Sequence, residues 1–474
     1  MSPPSPLSAA LSPAESCAPR HSALEDQPGV GERGRRIAAT VLSLLMITIV
    51  VGFLGVTTIS RDVGFSPIDE QTHTDYAWQL VHGTLPYAGS YVGDEVLELW
   101  ACHGQVNVPL PECGAEAHPS DFPARGENYN FKHPPVYYAV TGYGASALQA
   151  VFDIDFLVAA RLLSLVWVWS GIVALFFVLR SLDLSYPTST SASILVLLFP
   201  PILSSATTVN PDAAAVWAGV AAAVLVKIAL VDSRLPTWLL ALLSLLLGAA
   251  IASTKIMNAL AVLAAAGVVL LAGLFSSGFK GRRLRTVASG FAVPVGVLIV
   301  YVGWARFQKP RAAEGWISPI KGANTTPIEG LFIDEWLTTM FKGFNLTSGY
   351  YLGPPITSWM VSVWASILML FTVGIGVFGY YLVSRKRKEG YFALALTVGL
   401  LIWPTLVQLE VLNMYWFYFK NISTRYGISL IPMVCLVLAL FARKNSAGKG
   451  LVALTALGVT IASLAVLGVG VGGL

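Results

Sequence analysis

Apolar stretches near twenty residues long recur along the chain, separated by short loops that are often basic. That pattern predicts helices that cross a membrane. The runs fall at about 37–58, 158–180, 191–208, 213–231, 237–253, 256–276, 287–304, 357–383, 390–408, 427–442 and 450–471, or about 11 spans. None alternates apolar with polar positions as a membrane barrel requires, so the expected class is an all-α polytopic membrane protein. Two polar segments interrupt the series, one of about a hundred residues at 59–157 and one at 305–356. A connector that long exceeds what linking needs, and chemistry is expected in it. Inside it, PPVYYAVTGYGASALQAVF (134–152) is apolar but short and aromatic at one end. It is expected to lie along the membrane surface as an amphipathic helix.

Charge tests that choice. If 134–152 does not cross, Arg33, Arg35, Arg36, Arg180, Arg234, the run KGRRLR (280–285), RKRK (385–388) and Arg443, Lys444 and Lys449 all share the cytoplasmic side. If it crosses, every later basic loop moves outside, against the positive-inside bias. The expected protein is therefore a multi-pass plasma-membrane protein with its N-terminus cytoplasmic and its C-terminus outside. Segments 59–157, Asn210-Pro211-Asp212, Thr254-Lys255, 305–356 and Gln408 to Arg425 then gather on the outer face. Function is expected there. Residues 1–36 are expected as a cytoplasmic tail, disordered over its Pro-, Ser- and Ala-rich first thirty residues, and 37–474 as one transmembrane domain. The GERGRR run before the first span lacks a following cleavage site, so that span is read as uncleaved.

Of 474 residues, 55% are hydrophobic and 12% charged, and the mean hydropathy is +0.68. The net charge of +4 is small and sits in loops, which marks topology rather than nucleic-acid binding. Four cysteines are too few for a disulfide scaffold, but Cys102 and Cys113 share the long polar loop, and a bridge is expected in an oxidising compartment. A zinc site from Cys102, His103 and Cys113 matches no common spacing.

The chemistry-bearing residues cluster. In IDEQTH (68–73), Asp69 and Glu70 stand three or four positions from His73, so on a helix these side chains share a face. The group can serve as base, hydrogen-bond partner or weak divalent-metal site, or simply as an acidic helix start that favours the dipole. In KHPPVYY (132–138) the prolines start a helix, which puts Lys132 and His133 at head-group level, either to bind a lipid phosphate or to anchor the helix. Asp212 caps a span, and Lys255 ends another or snorkels from it. Tyr415-Trp416-Phe417-Tyr418 reads as an interfacial belt. Arg425, before Tyr426-Gly427, runs against the charge bias and is expected to meet an anion.

With these motifs the chain resembles the GT-C class of integral-membrane glycosyltransferases. Protein O-mannosyltransferases and lipid A aminoarabinose transferases show the same order of IDEQTH, KHPPVYY and NPDA (210–213). It is most similar to bacterial predicted membrane glycosyltransferases with D-E-x-x-H, H-P-P-x-Y-Y, N-x-D and a late R-Y pair, here in STRYGISLIP (423–432). The resemblance spans about 60–440. It implies a GT-C-like fold and transfer of a sugar from a polyprenyl-phosphate donor to a glycan, glycolipid or protein acceptor. Asp69 would be the general base and Glu70 its assistant or a metal ligand. Lys132, His133 and Arg425 would face the donor phosphate, while His73, Tyr137, Asp212 and Lys255 would line the cavity. No cofactor is implied with certainty, a divalent metal being open. Many relatives carry a soluble C-terminal domain, so acceptor binding is expected to rest on the two long loops here. The rival readings are a transporter or flippase of a lipid-linked or anionic substrate, and a non-catalytic partner in envelope assembly.

Overall fold

A computed structural model describes residues 30–61, 64–67, 69–105, 107–232, 235–319, 325–327, 337, 344–346, 359–383, 388–415, 417–419, 422–443 and 445–468. Residues 1–29 of the expected tail, Arg234, the centre of the 305–356 loop, most of RKRK, Trp416 and Lys444 lie outside them, whereas 30–36, expected as tail, are helical. The chain divides into two compact units, 1–41 and 42–474. In the first, the described residues form the start of α1 (Val30–Ile59), where Arg36 pairs with Glu32 one turn earlier at 2.5 Å. The second carries all the remaining elements.

Helix dominates, and the described strands are one antiparallel ribbon, β1 (Thr325–Pro327) against β2 (Phe417–Phe419), with Thr325 opposite Phe419. Among the described residues nine helices are long and apolar enough to cross a membrane. They are Gly31–Ile59, Phe156–Arg180, Pro211–Val231, Thr237–Thr254, Ile256–Phe275, Ser277–Arg311, Met360–Val383, Gly390–Leu412 and Ser446–Val466. The protein is therefore a polytopic helical membrane protein. The run expected at 191–208 is not one straight helix. It is a pair, α6 (Tyr186–Leu197) and α7 (Pro200–Thr207), bent by 70°, because Pro200 and Pro201 cannot donate to the preceding turn. The run expected at 427–442 is a shorter apolar helix, Arg425–Phe441.

Helices pack through small residues, as they must where apolar contact with lipid is no worse than contact with protein. Between α9 (Thr237–Thr254) and α11 (Arg283–Gln308), Gly296 lies so close to the Leu245 carbonyl that any Cβ would collide with it. The long polar loop is built as three helices, α2 (Glu70–Val81), α3 (Asp94–His103) and α4 (Val136–Phe152). Cys102 and Cys113 are joined by a disulfide, and Phe65 N–H donates to the Gly104 carbonyl at 2.8 Å.

The α4 helix starts directly after Pro134-Pro135 and is not among the nine spans. It buries Tyr137, Tyr138, Thr141 and Ala145 while Val140, Tyr143, Val151 and Phe152 stay exposed, so it carries a buried and an open apolar face. Gly142 allows α4 to cross α2, since a Cβ there would meet the Ala77 carbonyl at 2.5 Å. That close crossing stacks Tyr76 on Tyr138, with centroids 3.8 Å apart and rings 7° from parallel. The loop residues that follow α2 and precede α4 are thereby held against each other.

Candidate functional site

Asp69 is the residue before α2 and adopts φ 58°, ψ 10°, the left-handed region that a non-glycine residue enters at a cost. No backbone N–H of the first turn is capped by it; instead Oδ1 accepts from the Tyr129 hydroxyl at 2.8 Å and Oδ2 from Arg425 Nη2 at 3.2 Å. The side chain keeps 29% exposure. Burial raises its pKa, but the Arg425 guanidinium and the Tyr129 hydroxyl, joined by His73 where it is protonated, outweigh burial and leave it below the ordinary carboxylate range. It is an ionised, accessible carboxylate with room for another donor.

Glu70, one residue on, is fully buried and fully used. Its Oε1 accepts from Arg161 Nε at 2.8 Å and from the Val209 N–H at 2.8 Å. Its Oε2 accepts from Arg161 Nη2 at 2.9 Å and from the Ser66 N–H at 2.7 Å. Arg161 also donates to the Gly64 carbonyl at 2.9 Å. Glu70, expected as assistant to Asp69 or as a metal ligand, is instead a brace that ties the start of α2 to α5 (Phe156–Arg180) and to the Asn210 turn. Arg161 sits in no recognisable motif, although a lone Arg near the start of an apolar helix signals a buried partner.

The other expected residues converge from distant parts of the chain. Asp212 and Lys255 form a buried ion pair, 2.5 Å between Oδ1 and Nζ. The helix cap beside them is Asn210, whose Oδ1 accepts from the Asp212 N–H at 2.9 Å, which frees Asp212 for the lysine. The Tyr137 hydroxyl accepts from the Asn210 N–H at 3.0 Å and lies 2.7 Å from Ser164 Oγ, so it supports this turn rather than facing an open space. Lys255 and Arg425 flank the Tyr426 ring at 5.7 and 5.3 Å. Arg425 Nη1 is buried without a hydrogen-bond partner.

His73 and His133 lie with ring centroids 5.9 Å apart. His73 Nε2 accepts from Asn130 Nδ2 at 3.5 Å, which leaves the proton on Nδ1 to donate to the Tyr138 hydroxyl at 2.8 Å. Burial holds both imidazoles well below their usual pKa, and Lys255, Lys132 and Arg425 around them push the same way. They are neutral at physiological pH. Cations rather than histidines therefore supply the positive charge near Asp69.

Two further groups were missed because neither sits in a recognisable motif. Asp75, completely buried in α2, accepts from the Gly93 N–H (2.9 Å), Asn128 Nδ2 (2.6 Å) and Gln79 Nε2 (2.8 Å). Burial pushes its pKa up to about 7 against those bonds, with Glu95 adding to the rise. Asn128 also donates to the Thr72 carbonyl at 2.9 Å, so Asp75 fixes the strand of chain that carries Tyr129 and Asn130. The second is a cavity of about 380 Å³ between residues 131–133 and the end of α11, walled by Trp304, Trp316 and Tyr301 and edged by Lys132, His133 and Glu410.

As a metal centre the constellation does not fit. Glu70 has no free lone pair facing Asp69, and among the described residues no three His, Cys, Asp or Glu side chains converge. What the arrangement can do is accept a proton at Asp69 and hold a polyanion beside Arg425. No family model and no curated protein matches this chain.

Proposed function

We propose that the protein is a GT-C-like glycosyltransferase that moves a sugar from a polyprenyl-phosphate donor to a hydroxyl acceptor on the extracytoplasmic face of the plasma membrane. The observation that carries the reading is the Asp69 carboxylate, strained, ionised and part-exposed, beside an arginine with one buried and unpartnered nitrogen. In this reading Asp69 removes the acceptor's hydroxyl proton as its oxygen attacks the anomeric carbon. The bond from that carbon to the phosphate oxygen breaks, and its electron pair leaves on the phosphate, giving inversion. Arg425 and Lys132 meet the charge that grows on the departing phosphate, which is where fixed cations act most strongly. Lys255 is tied to Asp212 and braces the turn beside the site instead.

Arg425 has a second part. While it bonds Asp69 it holds the carboxylate weakly basic; drawing its guanidinium onto the donor phosphate raises the basicity of Asp69 when a donor is present. In this reading the loop 59–157 faces outside, in line with the basic loops on the opposite side, and the carboxylate meets lipid-linked sugars there. The bent pair α6–α7 is the feature that favours the transporter alternative, since broken spans line transport sites.

The test is Asp69→Asn. A well-expressed, membrane-inserted variant is expected to abolish transfer of the sugar into envelope glycan, with the cell's glycolipid and wall sugars matching those of a deletion strain. Glycan output equal to the parent's would remove the base assignment.

A further inference from the structure

We infer that the cavity at the end of α11 is the acceptor subsite and that it receives a saccharide ring, so that the acceptor is a glycan and not a protein side chain; this rests on the transferase reading above. The volume of about 380 Å³ suits a small ligand, and the lining divides into flat aromatic walls and a few charged groups of both signs. The two indoles are fixed by their own N–H groups. Trp304 Nε1 donates to the Phe131 carbonyl at 3.1 Å, and Trp316 Nε1 to Glu127 Oε2 at 2.8 Å. Trp316 is further held edge-on by Phe131, with the rings 82° apart. What the walls offer a ligand is thus apolar ring surface, the complement of the C–H faces of a sugar.

Polar recognition is left to Lys309 and Glu410, which make no ion pair within 4.0 Å among the described residues, while Lys132 at the edge belongs to the donor phosphate in the reading above. Sugar hydroxyls both donate and accept, so one ring satisfies the carboxylate and the ammonium group together. A lipid chain satisfies neither. The position agrees. The cavity lies at the end of the helix Ser277–Arg311, where its apolar run gives way to Arg306, Lys309 and Arg311. The cavity also reaches His133, whose ring neighbours His73, and His73 stands in the same electrostatic group as Asp69. An acceptor ring held there can present a hydroxyl towards the base.

Saturation-transfer NMR on the purified chain in lipid nanodiscs tests this, with methyl α-mannopyranoside and methyl α-arabinofuranoside as probes and a threonine-containing peptide as contrast. At least one glycoside is expected to give a signal that the peptide does not. Glu410→Gln, which keeps shape and fold, is expected to weaken that signal, and Trp304→Phe to weaken it about tenfold by removing the larger stacking face. Asp69→Asn is expected to leave binding of the glycoside intact. The proposal fails if only the peptide binds, if neither substitution changes the glycoside signal, or if added polyprenyl phosphate displaces the glycoside, which would make the cavity a donor subsite. Failure of the transferase reading is separate: it shows as absent sugar transfer with glycoside binding unchanged.

Discussion

Removing the Glu70 carboxylate is expected to unfold the site rather than merely silence it. Glu70 and Arg161 are 0% and 3% exposed, so neither charge has access to water when its partner is lost. An uncompensated buried charge costs about 3–5 kcal/mol. Glu70→Ala also strips the acceptor from the Ser66 and Val209 N–H groups, at about 1–3 kcal/mol for each buried donor. Even with partial relaxation the loss is about 5 kcal/mol, comparable with the stability of a small domain. Replacing both charges by apolar side chains, as Glu70→Leu with Arg161→Met, returns the charge penalty and leaves only the two N–H donors and the Gly64 carbonyl wanting. Melting followed by size-exclusion in detergent is therefore expected to rank wild type above the double variant, and the double variant above Glu70→Ala. The brace argument is refuted if Glu70→Ala melts with the wild type while losing sugar transfer. It is equally refuted if the double variant melts no higher than the single one.

The pH dependence of stability should carry the mark of Asp75. Its pKa is raised to about 7 from 3.8, so between those values the folded state holds a proton that the unfolded state has released. Stability is then greatest on the acid side and falls by about 1.4 kcal/mol per pH unit towards neutrality, levelling above about pH 7. Asp75→Asn should flatten that slope in melts between about pH 5 and about pH 8; an unchanged slope would assign it to another group. Opening the Cys102–Cys113 bridge, which closes a separation of 11 residues, should loosen its loop by about 3 kcal/mol. Limited proteolysis of Cys113→Ser within that loop should accelerate accordingly, and equal protection would show the bridge to be dispensable. For the topology, a cysteine at Glu314 is expected to react with an impermeant thiol reagent in intact cells and one at Lys388 to resist it. The reverse pattern would mean that 136–152 crosses the membrane.

The helical layout was legible because long apolar runs have few other uses, and the basic loops marked their ends. Asp69, Lys132, His133, Asp212 and Arg425 were legible as polar residues at the ends of such runs. Their pairings were not. Glu70 meets Arg161 across 91 positions and Asp69 meets Arg425 across 356, and only the packing of helices decides such contacts. The division of labour between two adjacent acids depends on one left-handed residue, and local spacing on a helix predicts the opposite, a shared face with His73. Gly142 reads in sequence as a weak point of a short helix, yet the crossing of α2 and α4 depends on it. Trp304 and Glu410 lay within or beside apolar runs, where an aromatic or a single acid has no pattern to distinguish lining from packing.

The central claim is that Asp69 is the base of a sugar transfer from a lipid phosphate. Purified protein in proteoliposomes, supplied with a polyprenyl-phosphate sugar and a glycan acceptor, should release polyprenyl phosphate in step with new glycoside. Asp69→Asn should slow that release by about 10²–10⁴-fold, the usual contribution of a general base, without weakening donor binding. Release at the wild-type rate from the folded variant would contradict the account.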